Sequence, residues 1–138
     1  MDREAIMQIL PHRAPMLLLD EVERIGEEAV GHYAVRGDEF FLQGHFPGHP
    51  IVPGVILCEI LAQSACVLLQ DAMTEGTLPV YTGLNNVKFR SPVQPGDTIE
   101  TRCRIKRAKH PFYFAEGTVT VADRLCVSAE FSFAITGA

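Results

Sequence analysis

Residues 55–70 read VILCEILAQSACVLLQ, sixteen positions with a single charge, Glu59. Gly54 stands before the stretch and Gly76 beyond it, and as a helix it would be roughly 24 Å long. A helix that is apolar on nearly every side offers no face to water, so the rest of the chain must wrap it. Its length and the breaks at Glu59, Gln63 and Gln70 exclude a membrane span. A very hydrophobic surface helix at an oligomer interface is the alternative that the pattern leaves open.

The wrapping material is read outward from this helix. Behind it, strands are predicted at 79–90, 98–108, 112–122 and 125–135. In the last, Leu125, Val127, Ala129, Phe131, Phe133 and Ile135 alternate with more polar neighbours, which predicts one buried and one wetter face. Ala122-Asp123-Arg124 is short enough for a hairpin, so the late strands should run as an antiparallel meander. Ahead of the helix, Asp2–Leu10 reads as a short amphipathic helix stopped by Pro11. Met16–Ile25 and Glu28–Arg36 read as strands meeting at Gly26, and 37–53 as an irregular stretch. The expectation is an α+β layer arrangement, one buried helix embraced by about six antiparallel strands.

With 138 residues, 47% hydrophobic and 21% charged side chains and a mean hydropathy of +0.12, the chain reads as one domain over 1–138 and not as a disordered polymer. The four cysteines, at 58, 66, 103 and 126, have no paired spacing and sit among apolar neighbours. They read as core thiols in a reducing compartment. Met1 is followed by Asp2, Arg3 and Glu4, so no secretory signal is read and a cytoplasmic location is expected.

The net charge of −5 hides an asymmetry: residues 1–87 carry twelve acids against four bases, and residues 88–138 eight bases against five acids. Seven of the twelve Lys and Arg lie between Lys88 and Lys109. Such a protein is a poor general binder of nucleic acid, but the basic segment could steer an acidic partner. A solvated strand face would look the same.

The chemistry gathers in Gly44–Gly54, GHFPGHPIVPG. Its prolines fix φ and its glycines allow tight turns, which gives the loop one shape. It brings His45, His49 and the start of the apolar helix together, where Pro53 and Gly54 leave amides free to face a developing oxyanion. His45 and His49 have the spacing of a zinc pair on a helix, yet Pro47, Gly48 and Pro50 forbid that helix, and metal binding is rejected.

Glu59 is costly to bury unless partnered or protonated. Burial is expected to raise its pKa, which would suit a general acid, with Gln63 one turn on to hold it. Base rates alone favour a structural role for a lone histidine or a buried glutamate; here the neighbouring loop tips the balance. The cysteines lack a nucleophile's setting. Tyr81, Phe89, Phe112, Tyr113 and Phe114 could line an acyl slot or could be plain core.

GHFPGHPIVPGVILCEILAQ, preceded by LPHRAPMLLLD (Leu10–Asp20) and followed by YTGLNNVKFRSPVQPGD (Tyr81–Asp97), closely resembles the FabZ-type β-hydroxyacyl-acyl carrier protein dehydratases over nearly the whole chain. The resemblance implies a hotdog fold and a cofactor-free dehydration of 3-hydroxyacyl-acyl carrier protein in fatty acid biosynthesis. It implies a homodimer with two shared active sites, commonly assembled as a trimer of dimers. By position, His45 matches the family's catalytic histidine and Glu59 its catalytic carboxylate, supplied by the other subunit. Gly54, with Val55 beside it, matches the residue whose amide polarises the thioester carbonyl, and Gln63 is a supporting residue. Lys88, Arg90, Arg102, Arg104 and Lys106 would dock the acidic carrier protein, the three on 98–108 sharing one strand face if the register is right.

The chain departs from the family's common Glu-Ala-Met-Ala-Gln at Ile60 and Leu61, which is expected to bear on acyl chain length. Glu59 in place of the aspartate of related dehydratase-isomerases argues against isomerisation. The rival readings are a hotdog acyl-thioesterase and a non-catalytic acyl-thioester-binding module; the pairing of His45 with Glu59 speaks against both.

Overall fold

In the computed structural model, which describes residues 1–137, the apolar stretch is a helix buried by its own chain. This helix, α2, runs Gly54–Cys66 and tightens into a 3₁₀ turn at Val67–Leu69. Nine of its thirteen residues are buried, Ile60 and Leu61 among them at 1% and 0% exposure, so it is a core element and not a surface one.

The wrapping sheet has β1 (Glu21–Ile25), β2 (Glu28–Ala34), β3 (Thr77–Phe89), β4 (Thr98–Lys109), β5 (Phe112–Val121) and β6 (Arg124–Gly137). All pairings are antiparallel and the order is β1-β2-β4-β5-β6-β3. The expected meander is therefore β4-β5-β6 alone. β3 departs from it and lies at the far edge beside β6. The segment between β2 and β3, which contains α2, carries the chain from one side of the meander to the other.

Between β5 and β6 the hairpin closes at Val121↔Arg124 over Ala122 and Asp123, with φ of 49° and 66°. Two left-handed residues give a turn whose twist matches that of the strands. Register is less regular inside β6. Val119 pairs Val127 and Thr120 pairs Leu125, which leaves Cys126 unpaired in a bulge, so that Cys126 and Val127 are both buried. The alternation read from sequence fails there and again at Phe131–Ile135, all buried.

Two further expectations are corrected. The first helix, α1, is only Arg3–Met7, capped by Asp2 accepting from the Ala5 amide at 2.9 Å, with turns continuing to Leu10. The predicted strand from Met16 starts at Glu21 instead. Leu17, Leu18 and Leu19 are buried without alternation, and the Gln63 side chain takes the Leu18 amide (2.9 Å) and the Met16 carbonyl (2.8 Å). Backbone groups satisfied by a side chain need no ladder partner.

Candidate active site

The loop before α2 closes on itself. Phe46 and His49 exchange backbone bonds (3.2 and 2.8 Å), and the Ile51 amide donates to the His45 carbonyl at 3.1 Å. Its end is tied down where Val52 donates to the Val93 carbonyl at 2.8 Å. Within this frame the His45 Nδ1 lies 3.1 Å from the Ile51 carbonyl oxygen, and the Phe46 ring stacks on the imidazole at 4.2 Å. A carbonyl oxygen only accepts, so Nδ1 carries the proton and Nε2 of the neutral ring keeps its lone pair. His49 is exposed and lines nothing near it.

His45 opens onto a cleft of about 540 Å³ shared with Gly54, Val55, Phe89 and Arg90. Pro53 precedes the helix, and its carbonyl accepts from Ile56 (2.9 Å) and Leu57 (3.3 Å). The amides of Gly54 and Val55, in the first turn, have no intrahelical partner. Gly54 is required by contact: a Cβ there would meet the Phe89 ring at 2.5 Å. The expected meeting of His45 with an uncovered helix start is thus present.

Glu59 is elsewhere. It lines a separate cavity of about 60 Å³ with His12, Gln63, Cys66, Tyr81 and Phe133, and none of the residues lining one cavity lines the other. Five residues separate Gly54 from Glu59, about 140° around the helix, so the histidine and the carboxylate address different faces of α2. The Gln63 amide donates to Glu59 Oε2 at 2.9 Å, and His12 Nε2 stands 3.4 Å from the same oxygen. Burial pushes the carboxyl up, but the hydrogen bonds from His12 and Gln63 and the attraction of His12 outweigh it, so Glu59 lies below its ordinary value. That reverses the expected upward shift. The carboxylate is held ionised.

Other sequence-level expectations divide. Arg102, Arg104 and Lys106 do share the outer face of β4, yet each is already paired. Arg102 meets Glu28 and Glu100 (3.5 and 3.4 Å), Arg104 meets Glu116 (2.5 Å), and Lys106 meets Glu130 (3.2 Å). Lys88 and Arg90 have no ion pair among the described residues, and Arg90 borders the His45 cleft. Ile60 and Leu61 line neither cavity.

Of the aromatics, Tyr81 faces the Glu59 cavity and Phe89 the His45 cleft, while Tyr113 is core, stacked on Phe133 at 5.9 Å. Phe112 and Phe114 are exposed. All four cysteines are buried and free, and burial pushes the Cys66 thiol up to about 12, which leaves it inert. Sequence reasoning missed His12. It sits in a quoted motif, but nothing local connects it to a residue 47 positions away.

A helix sheathed by a six-stranded antiparallel sheet with this strand order is the hotdog fold. A dehydratase heterocomplex, ApeI:P from Xenorhabdus doucetiae, superposes with a TM-score of 0.83 over 96% of this chain and 91% of that one, at 20% identity. Residues 10–130 match the FabA-like domain family. Proteins named 3-hydroxyacyl-[acyl-carrier-protein] dehydratase FabZ are similar over nearly their full length. The one from Clostridium acetobutylicum is 43% identical over 96% of both chains, and the one from Petrotoga mobilis 39% over 98% of both. The chain belongs to the FabA-like hotdog family, within its FabZ-type dehydratases.

Proposed function

We propose that this protein is a hydro-lyase that converts 3-hydroxyacyl-acyl carrier protein to the trans-2-enoyl thioester in fatty acid biosynthesis, as one domain over 1–138 in the cytoplasm. The observation that carries the mechanism is the fixed tautomer of His45 beside the uncovered amides of Gly54 and Val55.

His45 Nε2 takes the α-proton while those amides stabilise the charge that moves onto the thioester oxygen. The Cβ–O bond then breaks as the double bond forms. The leaving hydroxyl needs one proton, and His45 has just accepted one, so elimination balances without a cofactor. Glu59, ionised, orients the water through which that proton passes.

A second subunit supplies the missing half. Among the described residues β3 pairs only with β6, so its other edge is open along Thr77–Phe89, and Leu78, Val80, Leu84 and Phe89 are exposed on it. A long apolar edge of this kind invites a partner strand. The start of β3 borders the Glu59 cavity through Pro79 and Tyr81, and its end borders the His45 cleft through Phe89. Antiparallel pairing of two β3 strands lays the start of one against the end of the other. Each His45 is thereby brought toward the partner's carboxylate. Three such dimers would form the trimer of dimers. Arg90 and Lys88, unpaired near the cleft mouth, receive the acidic carrier protein.

The test is the purified protein acting on a 3-hydroxyacyl-acyl carrier protein, followed by mass spectrometry. Loss of water that disappears in Glu59→Gln is the expected result. Release of free acid would make the protein a thioesterase, and a bound but unchanged substrate would make it a binding module.

A further inference from the structure

Glu59 has a second keeper besides Gln63. His12 lies in the turn after α1, and the Arg13 guanidinium locks that turn by donating to the carbonyls of Leu10 (2.9 Å), His12 (2.7 Å) and Met7 (3.2 Å). Its Nε2 faces Glu59 Oε2 at 3.4 Å, while its Nδ1 is buried and bonded to nothing among the described residues. A histidine that merely staples a loop satisfies both nitrogens. Among the described residues this one leaves a buried nitrogen unpaired, and its only polar ring contact is the carboxylate.

Gln63 has no freedom to substitute for it. Its Oε1 accepts from Leu18 and its Nε2 donates to Met16 and to Glu59, so the amide is fully used and its orientation set. Both partners of Glu59 bind the same oxygen, Oε2, and Oε1 has no partner among the described residues.

We infer that His12 is the positioning residue of Glu59: with Gln63 it ties down Oε2, so that Oε1 alone faces the reacting water. This rests on the dehydratase reading above and adds a residue to it. The other titratable groups facing Glu59 are Cys66 on α2 and Tyr81 on β3. Burial raises both, the thiol to about 12, and Tyr81 is occupied in donating to the Cys58 carbonyl.

The experiment compares kcat and KM against pH for the unmutated enzyme, His12→Ala and His12→Gln, with Glu59→Gln as the reference for complete loss. In His12→Ala, kcat should fall about 10- to 100-fold with KM little changed. The acid limb of the kcat profile should move to higher pH, because burial still raises the Glu59 carboxyl while one of the groups lowering it is gone. His12→Gln, which keeps an N–H donor without the charge, should recover part of kcat. A His12→Ala acid limb coincident with that of the unmutated enzyme, while Glu59→Gln is inactive, would overturn the inference and leave the dehydratase reading standing.

Should His12→Ala fail to fold, His12→Gln decides. The ¹³C carboxyl resonance of Glu59, identified by its disappearance in Glu59→Gln, should titrate at higher pH in His12→Gln than in the unmutated protein, because the attraction of His12 that lowers the carboxyl is gone. Coincident titrations overturn the assignment.

Discussion

The two half-sites differ in how they are built. The His45 half is local: its fixing bond spans six residues, and the loop, the helix start and the histidine are contiguous in sequence. The Glu59 half is assembled at long range, by Gln63 bonding across 45 and 47 residues and by His12 from the N-terminal turn. One half is a rigid loop with a free base, and the other is a clamped, ionised carboxylate. A glycine/proline-rich loop can shape a base by itself, whereas a buried carboxylate stays ionised only when distant donors are brought to it.

The sharpest way to break this comparison is to divide the halves between subunits. His45→Ala and Glu59→Gln should each lower turnover by about a thousandfold or more with the oligomer intact by light scattering. Reassociating the two inactive proteins together should restore up to about a quarter of the unmutated activity, since a mixed dimer carries one site with both residues in place. No restoration after proven subunit exchange would put both groups in one chain.

Next in size is the start of α2. Gly54→Ala pushes a methyl into the Phe89 ring and should reduce kcat/KM about a hundredfold, read by the same assay. Phe89→Ala in the same chain should recover part of the loss if the clash, not the missing glycine, is the cause.

The carboxylate half should announce itself in stability. Gln63 is fully buried with three hydrogen-bond partners, and Gln63→Ala should cost about 2–4 kcal/mol in urea denaturation, because three groups lose their partner at once. The pH dependence has a definite sign. Glu59 is held below its ordinary value in the fold, so its stabilisation is complete above the unfolded carboxyl pKa and is lost as pH falls through the folded one. Glu59→Gln should therefore flatten the acid side of the stability–pH curve.

The smallest expected effect concerns docking. Arg90→Glu should raise KM several-fold for the carrier-protein substrate but not for a small thioester mimic. Arg102→Glu should do less, since Arg102 is already paired with Glu28 and Glu100. Equal effects at both positions would return the docking site to the whole basic segment.

Much of the fold was legible. An almost chargeless sixteen-residue run read first as a wrapped helix, and five of the six strands were placed within a few residues of their observed limits. The failures have physical causes. Met16–Leu19 reads as strand because it is apolar, but a glutamine side chain 45 residues on satisfies its backbone. In β6 the period of two breaks where the hairpin register slips at Cys126, which no single-strand pattern reveals. The basic residues of β4 look free in sequence because their acidic partners sit on β2, β5 and β6.

By itself the sequence determined what is local or periodic: the buried helix, the caged histidine, the glycine at the helix start and the isolated carboxylate. These follow from spacing, backbone restriction and hydrophobic pattern, which act over a few residues. Tertiary structure decided the rest. It put His45 and Glu59 in separate cavities, drew His12 and Gln63 onto one carboxylate oxygen, and turned the expected rise in the Glu59 pKa into a fall. The charge state of a buried group depends on which donors reach it in space, and that is set by packing across the chain.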